Sequence, residues 1–531
     1  MSIEKEARRT FLKVAGAGLA GGALYAQAGR AGAQTGASAG VLDVRAFGAV
    51  GDGKALDTSA VNKAIDAATA AGGGVVRFPA GSFLCHSIHL KSHVALFLDQ
   101  GSKLVAADAT GQAGEVGYDP PEPNDWPKFQ DYGHSHWHNS LIWGESLEDV
   151  AILGPGLIWG KGLSKGYGPG PTAERPGVGN KAIALKNCHN VTMRDFSILH
   201  GGHFGILATG VDNLTIDNLK IDTNRDGMDI DCCRNVRVSN CTVNSPWDDA
   251  ICLKSSYGLG VARATEMATI TNCLVSGSFE EGTLLDGTFK RMDASVKVSR
   301  TGRIKFGTEA NGGFKNITIS NCVFGGCQGL ALESVDGGLL EDVTITNITM
   351  RDIEGAPIFL RLGSRMRGPE GVPVGALRRV IISNVVCSNV GSRISSIISG
   401  IPGHPIENVK ISGIYVQHKG GGTKEAAVIE PPELENAYPE PTMFGGMPAH
   451  GFYIRHANNI QMRDIEIACM KEDARPAFVL NDVQGADFSH IKIPHADGVP
   501  AFTLSKVSDF NVYESKPLPN TQIDRADRKT L

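Results

Sequence analysis

The sequence of 531 residues has few aromatic residues and little net charge. Aromatic side chains make up 6% of the chain, and the formal net charge is −5 with acidic and basic residues interspersed. This balance gives no sign of a nucleic-acid partner or of binding to an acidic membrane surface. Hydrophobic residues make up 42% of the chain and glycines number 66. The composition instead suits a large core with many turns and small interior positions.

Long apolar runs are absent except near the N-terminus. Residues 7–13 read ARRTFLK, a Gly/Ala-rich apolar segment follows from Val14 to Ala28, and the small residues Ala31-Gly32-Ala33 come next. The twin arginines resemble a Tat signal, and the apolar segment is too short for a permanent anchor. We expect residues 1–33 to be a Tat-type signal peptide of a periplasmic or secreted protein without stable membrane insertion. An ordinary amphipathic helix is the alternative.

The cysteines do not follow a disulfide pattern. There are eleven, which in an exported protein would normally suggest disulfide bonds. However, Cys241, Cys273 and Cys322 each stand second in an Asn-Cys pair within a strand-like motif. Equivalent positions of this kind predict a stacked interior ladder of small apolar side chains. A protein exported already folded also misses early oxidation, so we expect reduced, buried thiols.

A short phrase recurs along the chain from residue 147: an Asn or Asp, an apolar residue, then alternating apolar positions. Examples are HNVTMRDFSI, DNLTIDNLKI and RNVRVSNCTV, whose first apolar residues Val191, Leu214 and Val236 lie 23 and 22 residues apart. Such a repeat, with short strands and no amphipathic helix between them, predicts an all-β, right-handed parallel β-helix. A leucine-rich repeat is the alternative, but its L-x-x-L-x-L pattern is absent.

One segment breaks the strand pattern with helical spacing. Residues 58–74 carry apolar residues at helical intervals and end in glycines, so they predict a helix that caps the open end of the core. We therefore divide the mature chain into the cap with the first coils (41–110), a β-helix catalytic domain (111–515) and a C-terminal tail (516–531).

Two long excursions leave the repeat, at residues 112–140 and 418–452. Such loops usually only connect strands at the surface, but on a β-helix they can also form the walls of a groove. Aromatic side chains in them, Trp126, Trp137 and Phe444, would suit stacking on sugar faces.

The period also predicts which acidic side chains meet. His203, Asp226 and Asp248 are separated by 23 and 22 residues, so we expect them in one column on three successive coils. Asp249 lies beside that column. The Pro-Trp pair before the two aspartates predicts a local bend, which would let both face the groove so that neither need be buried.

Carboxylates on adjacent coils repel one another. One pKa should therefore rise, which places a proton donor beside a proton acceptor, as glycoside hydrolysis requires. Two alternatives remain: the acids are merely solvated at turns, or they form a Ca²⁺ site together with Asp229 and Asp231.

Several motifs together resemble glycoside hydrolase family 28, the polygalacturonase family. FGAVGDGKALDTSAVNKAIDAATAAGGGVVRFPAGSF is similar to the N-terminal cap of the wider pectin-active β-helix superfamily. Asn224-Arg225-Asp226 resembles the N-T-D motif of the family, and Asp248-Asp249 its paired aspartates. YPEPTMFGGMPAHGFYIRH is similar to a segment of bacterial and plant members.

The resemblance implies inverting hydrolysis of a pectin-like polysaccharide or oligosaccharide, without a metal or another cofactor. Asp249 would be the general acid, and Asp226 and Asp248 would activate the attacking water. Room for that water implies carboxyl groups roughly 6.5–9.5 Å apart. The candidate substrate-binding residues are His203, Asn224, Arg225, Lys254, Arg303 and Lys305. Lys254 is either a rim residue or a charge partner for an aspartate, and His203 is alternatively a structural histidine.

Two motifs of the family are altered. The strand phrases align Arg300-Thr301-Gly302 with the G-H-G motif and Ala331-Leu332-Glu333 with the R-I-K motif. Arg303-Ile304-Lys305 spells R-I-K, but one coil too early. Because those basic residues meet the sugar carboxylate in the family, their loss predicts weak or no cleavage of plain polygalacturonate.

Two other functions are compatible with the same fold. A polysaccharide lyase would use a basic side chain with Ca²⁺ near clustered aspartates, and a non-catalytic β-helix would only bind carbohydrate. We expect a monomer whose partner is plant cell-wall polysaccharide or an oligosaccharide derived from it.

Overall fold

The computed structural model describes residues 40–109, 117–166, 175–291, 293, 295, 299–494 and 496–531. The predicted Tat-type signal in residues 1–33 lies outside the described residues. Within the described ranges, no helix combines the length and apolar character that a membrane crossing needs.

The predicted capping helix is α1, Thr58–Ala70. It ends just before the glycines, and Val61 and Ile65 on its inner face are fully buried. Asp57, directly before the helix, accepts hydrogen bonds from the backbone N–H groups of Val50 (2.6 Å) and Gly51 (3.0 Å). This carboxylate therefore fixes the turn that leads into the cap.

The first half of the chain contains eighteen short strands. They are β1 (Val41–Asp43), β2 (Asp52–Leu56), β3 (Gly74–Phe78), β4 (Gly81–Cys85), β5 (Ile88–His89), β6 (Val94–Leu98), β7 (Ser102–Ala106), β8 (Ile142–Glu145), β9 (Glu148–Leu153), β10 (Leu157–Trp159), β11 (Lys181–Lys186), β12 (His189–Arg194), β13 (Ser197–Leu199), β14 (Phe204–Thr209), β15 (Asp212–Asp217), β16 (Lys220–Asp222), β17 (Asp226–Asp231) and β18 (Arg234–Ser239).

The strands of the second half become longer towards the C-terminus. They are β19 (Thr242–Asn244), β20 (Ile251–Ser255), β21 (Thr265–Thr271), β22 (Leu274–Ser276), β23 (Phe279–Glu281), β24 (Lys290–Arg291), β25 (Ile304–Ala310), β26 (Phe314–Gly325), β27 (Leu330–Ser334), β28 (Leu339–Arg351), β29 (Ile358–Leu362), β30 (Ala376–Val390), β31 (Ser396–Ser399), β32 (Ile406–His418), β33 (Phe452–Cys469), β34 (Phe478–Lys492), β35 (Phe502–Tyr513) and β36 (Thr521–Thr530). Short 3-10 segments lie at Val44–Phe47, Pro127–Phe129, Tyr132–Ser135, Ala426–Val428 and Pro441–Phe444.

Successive coils stack in parallel along three ladders, which confirms the predicted parallel β-helix. One ladder, here called the site sheet, runs through β5, β8, β11, β14, β17, β20, β25, β27, β29, β31 and β33. A second includes β9, β12, β15, β18 and β21, and a third β10, β13, β16, β19 and β22. The predicted tail contains β36, which pairs antiparallel with β35.

The recurring phrase forms the second ladder in the predicted register. Val191 lies opposite Leu214, and Leu214 lies opposite Val236. The ladder therefore preserves both spacings, and each coil satisfies the backbone hydrogen bonds of the next.

The Asn of the phrase has a structural function at one corner of each coil. Asn190, Asn213 and Asn235 adopt left-handed backbone conformations with φ of 53°, 56° and 55°, which Asn tolerates better than most residues. Their side-chain amides also bond from coil to coil, at 2.9 and 3.2 Å.

The predicted cysteine ladder is also present. Cys241, Cys273 and Cys322 precede residues that pair with one another across three coils. All three side chains are buried, and all eleven cysteines of the chain are free thiols. The prediction of reduced, buried cysteines is confirmed.

The site sheet has a core face and an outer face. Ile206, Met228 and Ile251 pair in one column and belong to the main hydrophobic core. The outer face carries polar and charged side chains, including Asp229 and Lys305, and both are nevertheless buried. Because buried charges require partners, the excursions that cover this face decide what the site looks like.

Candidate functional site

The paired aspartates lie in a bend between two strands. Residues 246–248 are bent, and β20 begins only at Ile251. Backbone hydrogen bonds hold the bend: Trp247 N–H donates to the carbonyl of Asn224 (3.0 Å), and Gly302 N–H donates to that of Asp248 (2.9 Å). The predicted bend is confirmed, and neither aspartate follows the alternation of a strand.

The two aspartates have different environments. The side chain of Asp248 is 28% exposed and accepts hydrogen bonds from Nη2 (2.6 Å) and Nε (3.1 Å) of Arg225. The expectation that neither aspartate is buried is wrong for Asp249, whose side chain is 3% exposed. Asp249 accepts a hydrogen bond from Arg303 Nε (2.8 Å) and lies 3.4 Å from Lys305 Nζ. These two cations on the following coil make its burial possible.

The predicted column is wrong by one residue. Asp226 lies opposite Phe204 rather than His203. The reason is the order of strands within a coil, because each strand of the site sheet precedes the phrase of the same coil. The spacing of 23 residues therefore joins β11 to β14, where Ile183 pairs with Ile206, and the spacing of 22 joins β14 to β17.

His203 still lies beside the site, in a stacked pair. Its ring is parallel to the ring of Phe204, with centroids 4.2 Å apart. Burial and the positive charge of Arg225 hold the pKa of His203 well below its usual range. The imidazole is therefore neutral at neutral pH.

Three carboxylates meet at the bend. Asp226, Asp248 and Asp249 each have an oxygen within 4.8 Å of the others. Burial, with the negative charges of Asp248 and Asp229, raises the pKa of Asp226 well above its usual range. Burial acts in the same direction on Asp249, but Lys305 and Arg303 outweigh it and lower the pKa of that group. The proton is therefore held at Asp226 and Asp249 is ionised.

The nearest oxygens are closer than the carboxyl separation that the resemblance implies. A water molecule that makes hydrogen bonds of about 2.8 Å to two oxygens spans about 4.6 Å between them. The nearest-oxygen spacing of up to 4.8 Å therefore leaves room for one bridging water between two of the aspartates.

Lys254 is a buried charge partner rather than a rim residue. Its Nζ lies 2.9 Å from Glu309 and 3.8 Å from Asp229. Asp229 in turn lies 2.6 Å from His134 Nε2, and Glu309 lies 2.5 Å from Arg367 Nη2. The first excursion thus reaches the outer face of the site sheet through His134, which the sequence analysis missed.

The described residues contain two groups that could hold a metal ion, Asp226 with Asp248 and Asp249, and Asp131 with His134 and Glu309. Lysine and arginine side chains already compensate most of these acids. Asp229 and Asp231 do not join Asp226 in a shared site as the calcium alternative required, because Asp229 pairs with His134 and Asp231 accepts hydrogen bonds from Ser256.

The alignment of the altered basic motif is confirmed by strand register. Lys305 lies opposite Cys252 on the coil of the paired aspartates and opposite Ala331 on the next coil. Glu333 on that next coil is fully buried, and neither of its carboxylate oxygens has a hydrogen-bond partner in the described part of the chain. Burial raises the pKa of Glu333 to about 8.

The second excursion supplies a residue that the sequence analysis missed, Glu440. Its carboxylate accepts hydrogen bonds from Nη2 (2.5 Å) and Nη1 (3.1 Å) of Arg303 and lies 3.5 Å from Lys305 Nζ. The ring of Tyr438 covers Lys305 at 5.5 Å. The segment IEPPELENAYPEP is visibly acidic, but nothing in its pattern indicates which acid returns to the coil.

Two of the three aromatic residues proposed for sugar stacking are unavailable. Trp137 and Phe444 are buried, and Trp137 Nε1 donates a hydrogen bond to Thr209 Oγ1 (3.0 Å). They are packing residues that attach the excursions to the sheet. Trp126 is 37% exposed, and its ring contacts Tyr257 edge to face.

Asn224 provides an unused acceptor next to the acids. Its Oδ1 is buried and has no hydrogen-bond partner among the residues that the structure describes. With Arg225 bound to Asp248, the predicted N-T-D-like motif therefore presents one amide oxygen, one guanidinium and one protonated carboxyl.

Comparisons with known proteins agree on the architecture. A family described as "Right handed beta helix region" matches residues 177–291, and "Rhamnogalacturonase A/epimerase, pectate lyase-like" matches residues 41–122. A Vitis vinifera protein named "Probable polygalacturonase" is 25% identical over 70% of this chain and 73% of its own length. A Cochliobolus carbonum "Polygalacturonase" is 26% identical over 49% of this chain and 67% of its own length.

Solved structures give the same picture of the fold. The family 28 exopolygalacturonase of Yersinia enterocolitica superposes with a TM-score of 0.57 at 18% identity, covering 91% of this chain and 80% of its own. The Thermotoga maritima exopolygalacturonase gives a TM-score of 0.55 at 17% identity, covering 80% and 91%. These identities establish a shared fold.

Proposed function

The chain belongs to the polygalacturonase-like glycoside hydrolases, and we propose that it hydrolyses a glycosidic bond of a pectin-like polysaccharide or oligosaccharide by aspartate acid–base catalysis. The observation that supports this proposal most is the meeting of Asp226, Asp248 and Asp249, one oxygen of each within 4.8 Å of the others. A protonated carboxyl beside an ionised one is the pair that this chemistry requires.

We infer the roles from protonation and access. Asp226 holds a proton, and its neighbour Asp248 is the exposed member of the three. The Asp226–Asp248 pair would supply the proton to the leaving oxygen as the glycosidic C–O bond breaks. Asp249, the ionised carboxylate, would take the proton of the water whose oxygen bonds to the anomeric carbon. This assignment reverses the one implied by the resemblance, and the direct displacement inverts the anomeric centre.

A substrate screen tests the activity. Galacturonan, rhamnogalacturonan and their oligosaccharides are incubated with the enzyme, new reducing ends are measured, and NMR of the first product reports its anomeric configuration. We expect hydrolysis with inversion and weak action on plain polygalacturonate. Ultraviolet-absorbing unsaturated products would instead identify a lyase, and a lack of turnover with retained binding would identify a carbohydrate-binding module.

The leaving group tests the roles. On a nitrophenyl glycoside of the cleaved sugar, whose leaving group needs little protonation, Asp226→Asn should lose far less activity than on the natural substrate. Asp249→Asn should lose about the same factor on both, because the water must still be activated. Equal behaviour of the two variants would contradict this division of roles.

Export is proposed from the sequence pattern ARRTFLK alone. Replacing Arg8 and Arg9 by lysine should retain the protein in the cytoplasm, which cell fractionation measures. Unchanged export would exclude the Tat-type signal.

A further inference from the structure

The coil after the paired aspartates carries a basic pair that is already saturated. Arg303 and Lys305 are 1% and 2% exposed at their side chains. Arg303 donates Nε to Asp249, Nη1 to Gln328 Oε1 (2.8 Å), and Nη1 and Nη2 to Glu440. Every nitrogen of the guanidinium is therefore engaged by the protein itself.

The contact with Glu440 has the form of ligand recognition. Two nitrogens of Arg303 hold its carboxylate in a fork, and the ammonium of Lys305 approaches the same oxygen at 3.5 Å. Planar, bidentate binding of this kind is how arginine recognises a carboxylate ligand. Glu440 is also the most exposed member of the cluster, at 27%, so it lies at the opening where a ligand would arrive.

The charges of this cluster balance without a ligand. Two cations, Arg303 and Lys305, face two carboxylates, Asp249 and Glu440. The third acid, Glu333, is 3.6 Å from Lys305 and stays largely protonated at neutral pH because burial raises its pKa to about 8. A sugar carboxylate that entered here would add an uncompensated buried charge, whereas a hydroxyl or hydrogen would not.

We propose that Glu440 is a specificity-determining residue: it occupies the carboxylate position of Arg303 and Lys305, so that the enzyme accepts a neutral sugar there and rejects a uronate. This inference rests on the proposed function for its substrate, and it names the chemical class of sugar that the site takes. The acidic segment of the second excursion thus acts as an internal substitute for a substrate carboxylate.

The test is a binding experiment that does not depend on turnover. In an Asp226→Asn background, calorimetry compares a galacturonan oligosaccharide with a neutral galactan oligosaccharide of the same length. Glu440→Gln should raise the affinity for the galacturonan ligand at least tenfold relative to the galactan ligand, because it frees the guanidinium fork without removing bulk. Glu440→Asp, which keeps the charge, should retain the rejection.

Glu433→Gln is the matched control. Glu433 lies in the same excursion and pairs with Arg455 (3.1 Å) and His456 (3.1 Å) instead of the basic pair, so its loss should leave the ratio of the two affinities unchanged. Equal binding of both ligands by the Asp226→Asn protein, or an unchanged ratio in Glu440→Gln, would overturn the inference. A wild-type enzyme without turnover, combined with the expected shift in binding, would sink only the proposed function.

Discussion

The bend at Asp248 and the coil behind it build the same kind of ion pair in opposite settings. The Arg225–Asp248 pair lies at the opening, with side chains 22% and 28% exposed, whereas the Arg303–Asp249 pair has 1% and 3% exposure. The aspartates are neighbours in the chain. The difference comes from the following coil, which offers cations only to the second of them.

This difference separates a group that can exchange its partner from one that cannot. Water and substrate reach Asp248, so its pair with Arg225 can open at low cost. Asp249 could lose its cations only by leaving charges buried on both sides. Adjacent carboxylates can therefore serve different purposes, one meeting the substrate and the other holding a fixed charge beside it.

Breaking the two pairs in parallel should produce the largest contrast in stability. Arg303→Met should reduce the free energy of unfolding by about 3–5 kcal/mol, because Asp249 and Glu440 stay buried without their main cation. Arg225→Met should cost less than about 1 kcal/mol, as expected for an exposed pair. Urea denaturation of both variants measures the difference, and equal losses would show that burial does not distinguish the pairs.

The repeat made the fold predictable, because stacking in register is a local rule that each coil obeys. Val191, Leu214 and Val236 occupy one ladder as their spacing required. The same rule brought Asp226 and the paired aspartates onto neighbouring coils. It failed by one residue for His203, because the spacings were taken from one ladder and applied to another ladder of the preceding coil.

The covering of the site could not be predicted in this way. Glu440 reaches Arg303 across 137 residues of chain, and its excursion has no repeat that fixes its path. Trp137 and Phe444 looked suitable for sugar stacking, yet their size serves to bury the excursions against the sheet. Loop return depends on packing that a periodic pattern does not encode.

Opposite pKa shifts should give opposite effects of neutral substitutions on stability. The raised pKa of Asp226 means that its contribution is fully present below the unfolded value near 3.9 and is lost as pH rises. Asp226→Asn should therefore be more stable than wild type at pH 7, by about 1 kcal/mol or more, since one pKa unit corresponds to about 1.4 kcal/mol. The gain should vanish below about pH 4.

Asp249 should behave in the reverse sense. Its lowered pKa gives stability that is present above the unfolded value and is lost as pH falls through the folded one. Asp249→Asn should thus be less stable than wild type at pH 7, with the deficit narrowing in acid. Unfolding curves of both variants from pH 3 to pH 8 measure this, and shifts of the same sign would contradict the assignment of the proton to Asp226.

The smallest effect is expected at the exposed aromatic of the first excursion. Trp126→Ala removes a ring that is partly open to solvent, so stability should change by less than about 1 kcal/mol. If the ring stacks on a bound sugar, the loss of about 0.5–1 kcal/mol of aromatic contact raises KM roughly two- to fivefold while kcat stays unchanged. Steady-state kinetics on the substrate identified by the screen measures both constants.

Trp137→Ala provides the contrast within the same excursion, because its ring is fully buried. This variant should lose about 3 kcal/mol or more of stability through the cavity that it leaves. An unchanged KM in Trp126→Ala would show that the excursion covers the sheet without contacting sugar. The exposed and the buried tryptophan would then differ only in packing, and the groove would bind its substrate through the polar groups at the bend alone.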